Sequence, residues 1–115
     1  MSRPVVFLDI AGPDAGTLSD FYSRVFGWEV DAHGQFMVTG PSPLPATFRE
    51  DPAEKRLYIG VDDVSRALAD VENQGGTIDQ DRFEVPGVAV LALFKDPAGN
   101  PMGLVEMDGD ALKTP

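Results

Sequence analysis

Several features that define common protein classes are missing from this chain of 115 residues. It has no cysteine, so disulfides, thiolate nucleophiles and thiolate metal ligands are excluded. It has one histidine, His33, so a site of two histidines and a carboxylate cannot form within one chain. No G-x-S-x-G, P-loop or dinucleotide-binding motif occurs, which argues against a serine hydrolase, an NTPase and a Rossmann enzyme.

Basic residues and long apolar runs are also scarce. Nine Lys and Arg residues against 19 Asp and Glu residues give a formal net charge of −10, which repels nucleic-acid backbones. The longest apolar runs, such as residues 88–94, are too short to span a bilayer. The N-terminal apolar run breaks at Asp9, unlike the core of a signal peptide. We therefore expect a cytoplasmic protein that binds neither nucleic acid nor membrane.

The residues that are present are typical of a folded domain. Apolar residues make up 43% of the chain and charged residues 24%. A chain of this length buries a core without disulfides or metals. We expect a single domain over residues 1–115, with a first module at about 4–50 and a second at about 55–107.

The two modules are recognised from a strand–helix unit that occurs twice, at a constant offset of 49 residues. Leu8 corresponds to Leu57, Asp14 to Asp63 and Gly27 to Gly76. Each module reads as β-α-β-β-β, and neither buries its sheet alone. Pairing them predicts an α+β fold related by a pseudo-two-fold axis. A curved mixed sheet would carry the helices on its outer face and form a cleft on the other.

Hydrophobic patterning places the elements within each module. Strands are expected at 4–10, near 28–30, at 35–39 and at 46–49, the last an edge strand because prolines surround it. The first helix should bury a stripe formed by Leu18, Phe21, Tyr22, Val25 and Phe26. The second helix should bury Val64, Ala67, Leu68 and Val71.

Three segments carry a resemblance to a known family. They are DFYSRVFGW at 20–28, YIGVDDVSRALADVENQGG at 58–76 and FKDPAGNPMGLVE at 94–106. In this order they resemble the vicinal oxygen chelate superfamily, which includes glyoxalase I, bleomycin-resistance proteins and extradiol dioxygenases. The FGW ending and the GL after DPAGN are similar to its glyoxalase-like subgroup. The resemblance implies a homodimer and a small-molecule ligand.

The resemblance also implies where metal ligands would lie. The first-strand histidine position is occupied by Phe7, the fifth-strand position by Arg56 and the last-strand glutamate position by Gly103. An aromatic ring, a cation and a hydrogen atom do not ligate a divalent metal. We expect no metal and no other cofactor. His33 is read as a solvated turn residue and Glu106 as a strand-end surface charge.

Alternation along the strands predicts what faces the cleft instead of a metal. Asp9 follows Phe7 on one strand, and Arg56 and Tyr58 lie on the fifth. Two interpretations stay open for this polar group. Arg56 binds a ligand carboxylate bidentately, or Asp9 and Arg56 form a buried pair that only replaces the metal. The predicted ligand-binding residues are Phe7, Asp9, Arg56, Tyr58 and Gly103.

Two classes of function follow. The first is a glyoxalase-like protein that binds or sequesters a small organic molecule in a metal-free cleft, similar to drug-resistance members of the superfamily. The second is an isomerase, lyase or dioxygenase-like enzyme acting on a small oxygenated substrate through Asp9, Arg56 or Tyr58. The replaced metal positions favour the first, because family chemistry depends on Lewis-acid polarisation of the substrate.

Overall fold

The computed structural model describes residues 2–115 as two helices and eight strands. The strands are β1 (Val5–Gly12), β2 (Gln35–Val38), β3 (Leu44–Glu50), β4 (Glu54–Val61), β5 (Thr77–Val85), β6 (Ala89–Lys95), β7 (Pro101–Asp108) and β8 (Ala111–Leu112). The helices are α1 (Ala15–Phe26) and α2 (Val64–Asn73). The predicted α+β class is confirmed. The chain divides into an N-terminal unit, Val6–Arg56, and a C-terminal unit, residues 2–5 with Leu57–Pro115.

The N-terminal unit is built on a sheet with the strand order β2-β3-β1. β1 runs parallel to β3, and β2 runs antiparallel to it. One face of this sheet buries Ile10, Phe36, Ala46 and Phe48, against which Leu18 and Tyr22 of α1 pack. Because successive strand residues point to opposite faces, Asp9 and Thr47 lie on the face away from α1.

The C-terminal unit has the strand order β4-β7-β6-β5, with β8 paired to β7. β4 and β7 are parallel, and the remaining pairs are antiparallel. The predicted inner face of α2 is confirmed: its residues pack on a core of Val61, Ala92, Phe94 and Leu104. β5 is one strand of nine residues whose pairing with β6 shifts register twice.

The strand predicted at residues 28–30 is wrong. Trp28 and Val30 lie in the loop between α1 and β2. The Trp28 ring stacks on Tyr22 at 5.2 Å and on Phe36 at 5.1 Å between centroids. This packing partly buries the apolar side chains without a hydrogen-bonded ladder, so the alternating pattern did not signify a strand.

The edge position predicted for residues 46–49 is also wrong, because β3 lies between β2 and β1. Pro41 and Pro43 precede the strand and Pro45 is its second residue. The N–H groups of residues 46–50 therefore remain available to the ladder. β3 ends at Glu50, and β4 begins at Glu54 after a short bend.

Only part of the predicted α1 stripe is buried. Leu18 and Tyr22 pack against the core, but Phe21, Val25 and Phe26 are 54%, 56% and 59% exposed. The core space is already filled by a stack of rings, with Tyr22 and Phe48 at 5.4 Å and Phe36 and Phe48 at 4.6 Å. Two residues of the stripe thus pack on the core, and the other three form an open apolar surface.

Neither helix in residues 2–115 has the length and apolar character needed to cross a membrane.

Candidate functional site

Asp9 is the buried carboxylate of the N-terminal unit. It lies on β1 between Leu8 and Ile10, which pack on the α1 side of the sheet, and is only 4% exposed on the opposite side. A charge this deep requires a partner, since an unpaired buried ion costs several kcal/mol.

Arg49 of β3 supplies that partner. Its Nε donates to Asp9 Oδ2 at 3.0 Å and its second terminal nitrogen lies 2.9 Å from the same oxygen. The remaining donors reach Asp51 and Glu54 Oε2, the latter at 3.1 Å. The hydrogen bond to Asp9 is the main cause that raises the pKa of Arg49 above its ordinary value. Arg49 is therefore a fixed cation shared by three carboxylates.

Arg56 belongs to the same network through Glu54. Its guanidinium donates to Glu54 Oε1 at 2.9 Å and the residue is only 6% exposed. It also takes part in further interactions. The predicted Asp9–Arg56 pair is thus replaced by two pairs, Asp9–Arg49 and Arg56–Glu54, which Glu54 links.

The predictions missed Arg49 and Glu54. Thr47 is the Cα partner of Asp9 across the β1–β3 ladder, and Arg49 is the next residue on the same face of β3. Once β1 and β3 are paired in this register, strand alternation places Arg49 beside Asp9. The parallel pairing of the two strands was the missing information.

One atom of the network has no partner. Asp9 Oδ1 is buried, and among residues 2–115 no group donates a hydrogen bond to it. The network holds three carboxylates against two guanidinium groups, which leaves one net negative charge. Native proteins rarely leave a buried acceptor unsatisfied.

Phe7 borders this network on the same face of β1. It is two residues before Asp9 and half-buried, and it has further interactions of its own. Met37 of β2 also lies on the face away from α1 and is 46% exposed. The face thus combines apolar side chains with a small group of charges.

In the C-terminal unit, Tyr58 covers Gly103. The two are Cα partners in the parallel β4–β7 ladder. A Cβ at Gly103 would lie 2.9 Å from Tyr58 Cγ and still closer to two other ring carbons, Cδ2 and Cε2. The ring therefore occupies the space of a side chain at position 103.

The residues present do not fit the metal of the family. Gly103 stands at the glutamate position beneath the Tyr58 ring, and Arg56 is ion-paired. Residues 2–115 contain no group of three or more His, Asp or Glu side chains that could hold a metal ion. Divalent cations need several such donors.

Glu106 is not the surface charge that the sequence suggested. It is 5% exposed; its Oε1 accepts from the N–H of Val64 at 3.0 Å and its Oε2 lies 3.1 Å from Lys113 Nζ. The bond from Val64 is the main cause that lowers the pKa of Glu106. Alternation places Glu106 on the face of Leu104, beside the first residue of α2, and that position makes it an anchor for the helix.

His33 lies exposed in the turn before β2, as expected for a solvated residue. Its backbone N–H donates to Asp31 Oδ1 at 2.8 Å, and so does that of Gln35 at 3.0 Å. These bonds lower the pKa of Asp31. Asp31 therefore stabilises the backbone of the turn that leads into β2.

Comparison with known proteins gives the family. A family model described as a glyoxalase-like domain matches residues 5–105. The anthracycline biosynthesis protein DnrV of Streptomyces peucetius is 26% identical over 118 residues, which cover 81% of this chain and 43% of that protein. DauV of Streptomyces sp. (strain C5) is 25% identical with the same coverage. The chain thus spans less than half the length of the curated relatives it matches.

Solved structures agree on the fold. Streptomyces coelicolor methylmalonyl-CoA epimerase in complex with 2-nitronate-propionyl-CoA superposes with a TM-score of 0.68 at 18% identity, covering 100% of both chains. The Mycobacterium tuberculosis methylmalonyl-CoA epimerase superposes with a TM-score of 0.58 at 14% identity, covering 90% of this chain and 87% of that one. With the family match over residues 5–105, the chain belongs to the glyoxalase-like domain family of the vicinal oxygen chelate superfamily.

Proposed function

We propose that this chain binds a small organic molecule without a metal ion. The observation that carries the proposal is the Tyr58 ring over Gly103, which leaves the glutamate position of the family without a side chain and without room for one. Phe7 and Arg56 at the other two identified ligand positions support it, since neither offers a lone pair to a divalent cation.

The face of the N-terminal unit away from α1 supports a binding role. Ligand sites combine apolar walls with a few charged or polar groups that fix orientation. Phe7 and Met37 are the apolar side chains here, and the Asp9–Arg49–Glu54–Arg56 network supplies the charges. The predicted site residues Asp9 and Arg56 both belong to this network.

The test is metal content together with metal titration. Protein purified without chelator should carry no stoichiometric metal by elemental analysis. Added Zn²⁺, Ni²⁺, Fe²⁺ or Mg²⁺ should leave its melting temperature unchanged, because ligands that bind only the native state raise it. One tightly bound metal per chain, with a melting temperature that depends on it, would contradict the proposal.

The second candidate function is an enzyme of the same superfamily. The free oxygen of Asp9 favours it, because a buried carboxylate with one uncommitted oxygen is able to accept a proton from a ligand. Proton NMR in D₂O decides this. Loss of a ligand C–H signal with wild-type protein, but not with Asp9→Asn, would favour catalysis, whereas unchanged signals would favour binding alone.

We also propose that the chain forms a homodimer through α1. Exposed apolar patches, especially aromatic ones, mark interaction surfaces. The open part of the α1 stripe, Phe21, Val25 and Phe26, is such a patch. α1 carries one acid, Asp20, and one base, Arg24, so it is electrically neutral on a chain of charge −10. Two copies therefore meet there without the like-charge repulsion expected elsewhere.

Sedimentation velocity tests the dimer. The wild type should sediment as a dimer and Val25→Asp as a monomer, because a carboxylate in an apolar interface loses its hydration. Val88→Asp is the matched control, since Val88 is 57% exposed but lies in the C-terminal unit. A monomeric wild type, or a Val25→Asp protein that remains dimeric, would overturn this proposal.

A further inference from the structure

The unsatisfied oxygen of Asp9 points to the chemistry of the ligand. Asp9 Oδ2 accepts a hydrogen bond from Arg49 Nε at 3.0 Å and lies 2.9 Å from a terminal nitrogen of the same guanidinium, while the buried Oδ1 accepts none. Leaving a buried charged acceptor unpaired destabilises the folded protein, because its lost hydration is not replaced by a hydrogen bond. A donor that reaches Oδ1 removes this cost and is therefore favoured beyond its own hydrogen bond.

The cations beside Asp9 are already engaged. Arg49 donates to three carboxylates, and Arg56 donates to Glu54 and has further interactions. A ligand carboxylate would approach guanidinium groups whose charge is already matched by these acids. It would also enter a group that already carries one net negative charge.

We propose that Asp9 Oδ1 accepts a hydrogen bond from a donor group of the bound organic ligand, and that a protonated amine is preferred over a hydroxyl and both over a carboxylate. This inference rests on the proposed ligand-binding function. Phe7, on the same face two residues before Asp9, adds an aromatic surface for the apolar body of that ligand. The ligand is thus an apolar or aromatic molecule with a donor head.

The test uses matched ligand triplets that share one ring and differ only in the head group. Benzylamine, benzyl alcohol and benzoate are one triplet, and larger ring systems give others. Dissociation constants are measured by NMR titration at neutral pH. The amine should bind roughly tenfold or more tightly than the carboxylate, as expected for a charge-assisted hydrogen bond.

Asp9→Asn replaces the hydrogen-bond acceptor Oδ1 by a donor while keeping the side-chain shape. The amide oxygen can still accept from Arg49, which leaves its NH₂ group at the place of Oδ1. The preference for the amine should disappear, and the carboxylate should gain affinity. Asp70→Asn is the control, because it removes the same charge from an exposed position on α2 and should leave the preference unchanged.

A measurement on the wild type keeps the inference testable if Asp9→Asn does not fold. The ¹³C signal of the Asp9 carboxyl should shift when the amine or alcohol binds. An unchanged signal would mean that a trapped water satisfies Oδ1, and this overturns the inference. The inference is also overturned if the carboxylate member of a triplet binds most tightly, or if the preference for the amine is unchanged in Asp9→Asn. In these cases the proposed binding function still stands. Failure of every triplet to bind contradicts both.

Discussion

Glu106 holds three segments of the C-terminal unit together. Its carboxylate joins β7, on which it lies, to the first N–H of α2 and to Lys113 after β8. A carboxylate at a helix N-terminus also interacts favourably with the helix dipole. The desolvation cost of burying the Glu106 charge is therefore offset by two partners.

Replacing Glu106 by Gln should destabilise the protein by about 1–3 kcal/mol at neutral pH, because a charge-assisted bond and an ion pair are lost. Denaturant unfolding measures this. Glu72→Gln, an exposed change on α2 with the same loss of charge, should have little effect.

The same residue predicts a pH dependence. The pKa of Glu106 is lowered in the folded protein below its ordinary value of 4.5, so the unfolded chain binds the proton first. Its contribution is present above pH 4.5 and is lost as the pH falls through the lowered folded pKa. The stability difference between wild type and Glu106→Gln should therefore shrink in this acidic window. A difference that stays constant down to the folded pKa would contradict this assignment.

Gly103 allows a second prediction. Gly103→Ala should cost about 1–3 kcal/mol, because its Cβ overlaps the Tyr58 ring. The double variant with Tyr58→Ala should be destabilised by less than the sum of the single changes, since the overlap is then relieved. Additive effects in denaturant unfolding would show that the ring does not occupy this space.

The two helices show the repeat of the sequence in their caps. Asp14 and Asp63, at equivalent positions, each accept a hydrogen bond from the backbone N–H three residues on, both at 3.1 Å. Gly27 caps the end of α1 in the left-handed region at φ 72°. The C-cap of α2 is instead Gln74, the residue directly before the Gly-Gly pair. The start of each helix is repeated more closely than its end.

The cap of α2 is testable by itself. Asp63→Ala should lower the free energy of unfolding by about 1 kcal/mol, because the N–H of Arg66 loses its acceptor. Asp63→Asn retains an acceptor oxygen and should stay close to wild type. Equal destabilisation by both variants would assign the effect to charge and not to the cap.

The elements differ in how well the sequence predicted them. α2 was predicted correctly because the core of its unit has room for every residue of its apolar stripe, Val64 and Leu68 being almost fully buried. In α1 the same periodicity predicted that Val25 is buried, but this residue is exposed. Periodicity identifies an apolar face but not what covers it. The strand prediction at Trp28 failed for a related reason, because ring stacking partly buries this side chain without a strand.

At the scale of the whole chain, the repeat and the three family segments were sufficient to predict the α+β class and the superfamily. The side-chain network around Asp9 was not predictable in the same way. Which arginine meets Asp9 depends on the pairing of β1 with β3, which lies outside any local pattern. The identities at Phe7, Arg56 and Gly103 predict from sequence alone that family metal chemistry is replaced, and this stays a prediction.

The most direct test of metal-independent binding is a calorimetric titration of one screened ligand, performed with and without a chelator. The dissociation constant should be the same in buffer with EDTA, in metal-free buffer and with added Zn²⁺, because no residue of the proposed site requires a cation. Binding that is abolished by EDTA and restored by one equivalent of metal would contradict the central claim.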